Sequence, residues 1–168
     1  MNIDLVKNIL LAVVLLLIQA MVLNRIHLFN CATPLIYVYM VLLMPRNYPR
    51  WGVLLQSFLI GICADIFSNT PGVAAGSMTF LGFIQTWLLA PFIHRDNPDE
   101  ADLRPTMKEM GLNRYLFYAF LCVFIYCTLF FTLETFSFFN WVHWLASILG
   151  STLITLLLIL VIENLRGA

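Results

Sequence analysis

Six apolar stretches follow one another along this sequence, and none carries more than two charged residues. They cover about 5–23, 30–44, 51–67, 71–93, 114–134 and 139–162. A helix rises ~1.5 Å per residue, so about 20 apolar residues match the hydrocarbon core of a bilayer. Lipid offers no partner to an unpaired backbone amide, which leaves a chain of this pattern little besides a helical bundle. The composition agrees. The 168 residues are 61% hydrophobic and 11% charged, whereas a soluble domain is nearer half apolar and a quarter charged. The expected fold is all-α: one polytopic membrane domain over 1–168 with six transmembrane helices.

The runs differ in their ends. The first has Lys7 at its start and closes at Asn24 and Arg25. It is too long for a signal peptide, lacks a small-x-small cleavage site and is followed by further spans, so it reads as a retained helix. The second contains Pro34 and closes at Pro45. The third, at 17 residues, is a little short for a bilayer. The fourth opens on Thr70, a candidate N-cap, with Pro71 where a first-turn proline is tolerated. The linker 94–113 is the one long polar stretch. Within it Asn97, Pro98, Asp99 and Glu100 read as a helix start. The linker reads as a solvated connector or, more sharply, as a docking point for a cytoplasmic partner.

Six spans put both termini on one side. Lys7, Arg46, Arg50, Arg95, Arg104, Lys108, Arg114 and Arg166 all fall on that side, and only Arg25 on the other. Basic residues mark the cytoplasmic face, so cytoplasmic termini are expected, with the Ser68–Pro71 turn facing outward. A net charge of zero argues against nucleic acid. Anionic lipid stays open, because the basic residues are locally concentrated. The cysteines Cys31, Cys63, Cys122 and Cys127 form no CxxC pair and read as small buried apolar residues.

Against this background the stretch 61–82 stands out. Gly61, Gly72, Gly76 and Gly82 surround a carboxylate, Asp65, and a polar turn of Ser68, Asn69, Thr70 and Pro71. Ser57, Gly61 and Asp65 are four apart and share a helix face; Gly72 and Gly76 repeat the spacing on the next helix. Ser147, Ser151 and Thr155 form a small polar stripe on the sixth run. In lipid such faces supply close packing and interhelical hydrogen bonds, within one bundle or toward another protein's helix. Asp65 reads either as a carboxylate satisfying the turn's amides or as a partner-facing charge. Arg25, His27, Asn30, Asn69, Glu134, Asn140 and His143 lie at the same depth, with Arg25 a candidate partner for Asp65 or Glu134. Their spacing matches no metal motif. Gln19, Gln56 and Gln85 are isolated polar residues that read as bundle glue. No nucleophile elbow, zinc-protease motif or phosphate loop is present, and no cofactor is expected.

The order Pro34, Pro45, Gly61, Asp65, Pro71, Gly72 and on to Gly82 resembles the MreD family, small membrane proteins of the bacterial rod-shape (cell elongation) system. The resemblance covers nearly the whole chain. The linker is longer and more charged than in many relatives, and nothing is carried across for it. The resemblance implies a non-enzymatic inner-membrane scaffold that regulates cell shape. It would bind MreC, a single-span periplasmic protein, and through it reach a RodA-type glycosyltransferase, a penicillin-binding transpeptidase and the actin-like MreB filament of peptidoglycan synthesis. It also implies a fold similar to the substrate-binding subunits of energy-coupling-factor vitamin transporters. The candidate partner-binding residues are Ser57, Gly61, Asp65, Asn69, Pro71, Gly72 and Gly76. The alternative is a small-solute binding subunit of a transporter, using the outer polar cluster as its pocket. A third class, a membrane enzyme, would depend on His143 or Glu134.

Overall fold

The computed structural model describes residues 3–21, 33–45, 48–92, 105–136 and 140–167. All regular structure among them is helical: α1 (Ile3–Met21), α2 (Tyr39–Leu42, entered through a 3-10 turn Ile36–Val38), α3 (Arg50–Ser68), α4 (Val73–Leu89, with a 3-10 turn Ala90–Phe92), α5 (Met107–Met110), α6 (Leu112–Thr135) and α7 (Trp141–Gly167). Of these, α3, α4 with its terminal turn, α6 and α7 are each long and apolar enough to cross a membrane.

The distribution of side chains is that of a protein in lipid. Polar groups are inside: Gln19, Asp65, Gln85, Ser151, Thr155 and Glu163 are all buried. Large apolar ones are outside, among them Ile66, Phe117, Val142 and Leu157. An outward-facing apolar surface has no gain from water, only from hydrocarbon. Tryptophans mark both ends. Trp51 and Trp87 are exposed at one, Trp141 and the half-buried Trp144 at the other, the placement favoured at membrane interfaces.

The third, fourth, fifth and sixth runs become α3, α4, α6 and α7 with their ends moved by a few residues. The second does not become a span-length helix. Across 33–45 only 36–42 is helical, about 10 Å of helix at ~1.5 Å per residue. Pro34 and Pro45 lie just outside the helical part, where proline ends rather than continues a helix. Every side chain from Pro34 to Met44 is buried. The irregular backbone therefore meets protein and not lipid, the condition under which it is tolerated at membrane depth.

Its amides and carbonyls are taken by polar side chains of the surrounding helices. The Gln19 side-chain amide donates to the Pro34 carbonyl at 2.7 Å, and its oxygen accepts the Ile36 amide at 3.1 Å. Ser151 Oγ accepts the Thr33 amide and Thr155 Oγ1 the Leu35 amide, both at 3.0 Å. At the other end Gln85 donates to the Met44 carbonyl at 3.0 Å. The polar stripe of α7 and two of the three isolated glutamines thus hold one piece of broken backbone. Helix direction follows. The segment runs along α7 from Ser151 toward Glu163, where Tyr39 donates to the Glu163 carboxylate.

Candidate functional site

The α3–α4 hairpin is the most extensive helix pair in the bundle, and it is built around Gly61. A Cβ on Gly61 would sit 2.5 Å from the Cα of Ala75 and 2.9 Å from the Ala74 carbonyl. No side chain fits there, so glycine permits backbone-to-backbone approach. One helical turn further along α3, Asp65 faces the first turn of α4. Its Oδ1 accepts from the Ala74 amide (2.8 Å) and the Thr70 hydroxyl (3.0 Å). Its Oδ2 accepts from the Ala75 amide (2.9 Å) and the Gly72 amide (3.1 Å).

Asp65 is therefore the N-cap of a helix it does not belong to. The expected cap, Thr70, is displaced. Helix α4 starts at Val73 after Gly72 (φ 87°), and no side chain at the Gly72 position caps it. A carboxylate at a helix N-terminus gains from the aligned peptide dipoles as well as from the bonds themselves. The turn is shaped to allow this. Asn69 takes the left-handed conformation (φ 57°) that ends α3, one that asparagine tolerates. Gly72 takes the second left-handed position, where a side chain would be strained.

The seven candidate partner residues separate into two groups. Ser57, Gly61 and Asp65 are buried against α4 of the same chain. Asn69, Pro71, Gly72 and Gly76 are exposed. A Cβ on Gly76 would meet only Leu133 Cδ1, at 3.9 Å. Asn69, Pro71 and Gly72 border a groove on the outside of the hairpin, lined also by Phe58, Ile62, Ile66 and Ala75, whereas Gly76 faces Leu133 of α6. Asp65 reaches its floor. The groove is apolar along α3 and polar at the turn.

The same end of the bundle holds a second cavity, between Thr33, Leu35, Ser68, Thr70, Phe130 and Glu134. Phe130 packs on Tyr126, with ring centroids 5.9 Å apart. The Tyr126 hydroxyl is 2.5 Å from that of Tyr37, whose ring meets it edge-on. Of the other residues expected at this depth, Asn140 and His143 are exposed, while Arg25, His27 and Asn30 lie outside the described residues. No three His, Cys, Asp or Glu side chains converge as metal ligands among the described residues. Ser77 and Ser147 donate to the carbonyls of Val73 and His143 one turn back in their own helices.

A polar group at the opposite end was not singled out from the sequence. Glu163 is buried near the end of α7. It accepts from the Tyr39 hydroxyl and, at 3.1 Å, from the Met107 amide that opens α5. Arg166 donates to Tyr39 at 3.4 Å. One carboxylate thus ties α7, the buried segment and the visible end of the linker together. The sequence signal was an acid directly after the sixth apolar run, where it reads as the start of a polar tail. The proposed helix start at Asn97–Glu100 lies outside the described residues.

Comparison with protein-family models, with curated proteins and with solved structures finds no match to this chain.

Proposed function

We propose that this protein is a non-enzymatic membrane scaffold of the MreD kind, which binds a single-span MreC-like partner and regulates cell shape through the peptidoglycan-synthesis machinery. The reading rests first on the order of Pro34, Pro45, Gly61, Asp65, Pro71 and Gly72. The observation that best supports it is the use made of Asp65. Its two oxygens carry four hydrogen bonds that fix one turn, and that turn presents Asn69, Pro71 and Gly72 beside an apolar groove. A fixed turn next to an apolar groove suits a partner that brings a transmembrane helix and its juxtamembrane segment.

In this reading the chain makes six passes of a bacterial inner membrane with both termini cytoplasmic. The buried segment 33–45 supplies the second pass. Its support is continuity: Gln19 near the end of α1 bonds Pro34, and Met44 bonds Gln85 near the end of α4. The basic residues Arg50, Lys108, Arg114 and Arg166 sit at the ends that would face the cytoplasm.

Co-purification with an MreC-like partner tests the scaffold. Replacing Gly76 with Leu should reduce recovery of the partner severalfold with no loss of folded protein, and depletion should cost cells their rod shape. Unchanged recovery would remove the Gly76 face of α4 from the interface.

The cavity beside Thr70 and Glu134 favours a second reading, a solute-binding subunit of a transporter. It predicts co-purification with an ATPase module and a rise in unfolding temperature with the right small molecule.

A further inference from the structure

The end of the α3–α4 hairpin opposite Asp65 carries a second cleft. Its walls are Val53 and Leu54 of α3 and Phe83 and Trp87 of α4, with Gly82 as floor. Phe83 and Trp87 pack edge to face with centroids 5.2 Å apart, which fixes the wall. Arg50 and Thr86 stand at the cleft and supply its polar character.

Three features of these residues have no account in the fold. Arg50 is the first residue of α3, where the helix dipole disfavours a cation. No acid in that first turn and no side-chain cap offsets it, and the Arg50 guanidinium makes no hydrogen bond or ion pair among the described residues. Thr86 differs from the other helical threonines. Thr79, Thr128, Thr132, Thr135 and Thr152 each donate to the carbonyl four residues back, whereas Thr86 has no such bond. Finally, Ser57 is fully buried next to Gly82 with no hydrogen-bond partner for its hydroxyl. Among the described residues, then, a cation and a hydroxyl without hydrogen-bond partners stand at the mouth of an apolar slot, at the depth marked by the exposed Trp51 and Trp87. They suit a phosphate carried on an acyl chain.

We infer that this cleft binds an anionic phospholipid, with Arg50 and Thr86 on the headgroup phosphate and an acyl chain lying along Val53, Leu54 and Phe83. The guanidinium gives a planar pair of donors suited to phosphate. One basic residue near an anionic headgroup is worth roughly a fivefold enrichment. The inference does not rest on the scaffold reading and survives its failure.

The test is quenching of Trp87 in the full-length protein, reconstituted in phosphatidylcholine vesicles containing a minor fraction of lipid with brominated chains. The Trp87 signal is the difference between the protein and its Trp87→Phe variant. Brominated phosphatidylglycerol should quench it roughly fivefold more effectively than brominated phosphatidylcholine at the same fraction. Arg50→Gln should bring the two lipids to equality and Thr86→Val should narrow the gap. Arg114→Gln, a cation at the same end but off the cleft, should leave the gap intact. Equal quenching in the unaltered protein, or a preference that survives Arg50→Gln, would overturn the site. Excess inorganic phosphate should not protect Trp87. Full protection by phosphate alone would replace the lipid with a free anion and overturn the proposal.

Discussion

Asp65 Oδ1 lies 2.8 Å from the amide nitrogen of Ala74, nine positions further along the chain. The last turn of one helix therefore closes the first turn of the next. Without this carboxylate the buried amides of Ala74 and Ala75, and the amide of Gly72 at the exposed turn, would lose their acceptor.

Replacing Asp65 with Ala should therefore destabilise the protein by about 2–4 kcal/mol, the loss of a cap combined with unpaired buried donors. Asn keeps one acceptor oxygen but turns an NH2 toward the amides and removes the charge, so Asp65→Asn should recover only part of the loss. Unfolding in detergent, followed by loss of helical signal, measures both. An Asp65→Ala protein as stable as the parent would show that the cap is dispensable.

Gly61 and Gly76 should behave oppositely although they belong to the same sequence pattern. A methyl on Gly61 meets Ala75 backbone at 2.5 Å, and backbone cannot rotate away. Gly61→Ala should cost about 1–3 kcal/mol through forced separation of the two helices. Gly76→Ala meets nothing closer than 3.9 Å and should be neutral or stabilising by up to about 1 kcal/mol, from helix propensity. The two unfolding midpoints, compared side by side, decide it.

The buried segment should loosen when its side-chain partners are removed. Gln19→Leu deletes the acceptor of the Ile36 amide and the donor to the Pro34 carbonyl. Each interhelical bond in lipid is worth about 0.6–2 kcal/mol. Hydrogen–deuterium exchange over 33–44 should speed up severalfold in Gln19→Leu and in Gln85→Leu, with α6 little changed. Unaltered exchange would mean that packing alone holds the segment.

Glu163 should govern the end of the linker. Glu163→Gln retains the shape and one acceptor but weakens the bonds from Tyr39 and from the Met107 amide. Limited proteolysis around 105–111 should become faster, while the long helices stay protected. A cleavage rate equal to the parent's would assign α5 to other contacts.

Much of this was legible in the sequence, for a physical reason. Long apolar runs with breaks of Asn, Pro and charge allow little except helices, so α3, α4, α6 and α7 fell within a few residues of expectation. The hairpin turn at Ser68–Pro71 was visible for the same reason. The second run was not legible. Its residues, with Ile36, Val38, Val41 and Leu42, are those of an ordinary span. Pro34 and Pro45 flank the short helical part, but the groups that satisfy the broken backbone lie up to 120 positions away, in Ser151 and Thr155. The cap on α4 was legible only in part: Asp65 as an acceptor for the turn's amides was one of two readings, but the cap position itself was given to the adjacent Thr70, and the acceptor comes from the preceding helix. The role of Glu163 was hidden likewise, since its partner Tyr39 is 124 positions distant.

The dependence of Thr33 and Leu35 on Ser151 and Thr155 also bears on how the protein is made. With 118 and 120 residues between the partners, a ribosome working at about 5–20 residues per second needs roughly 6–24 s to supply the second half of each bond. During that interval the early segment has two amides without their final acceptors. The segment 33–45 is then among the last parts of the protein to reach its final form, and a chain truncated before α7 would never complete it.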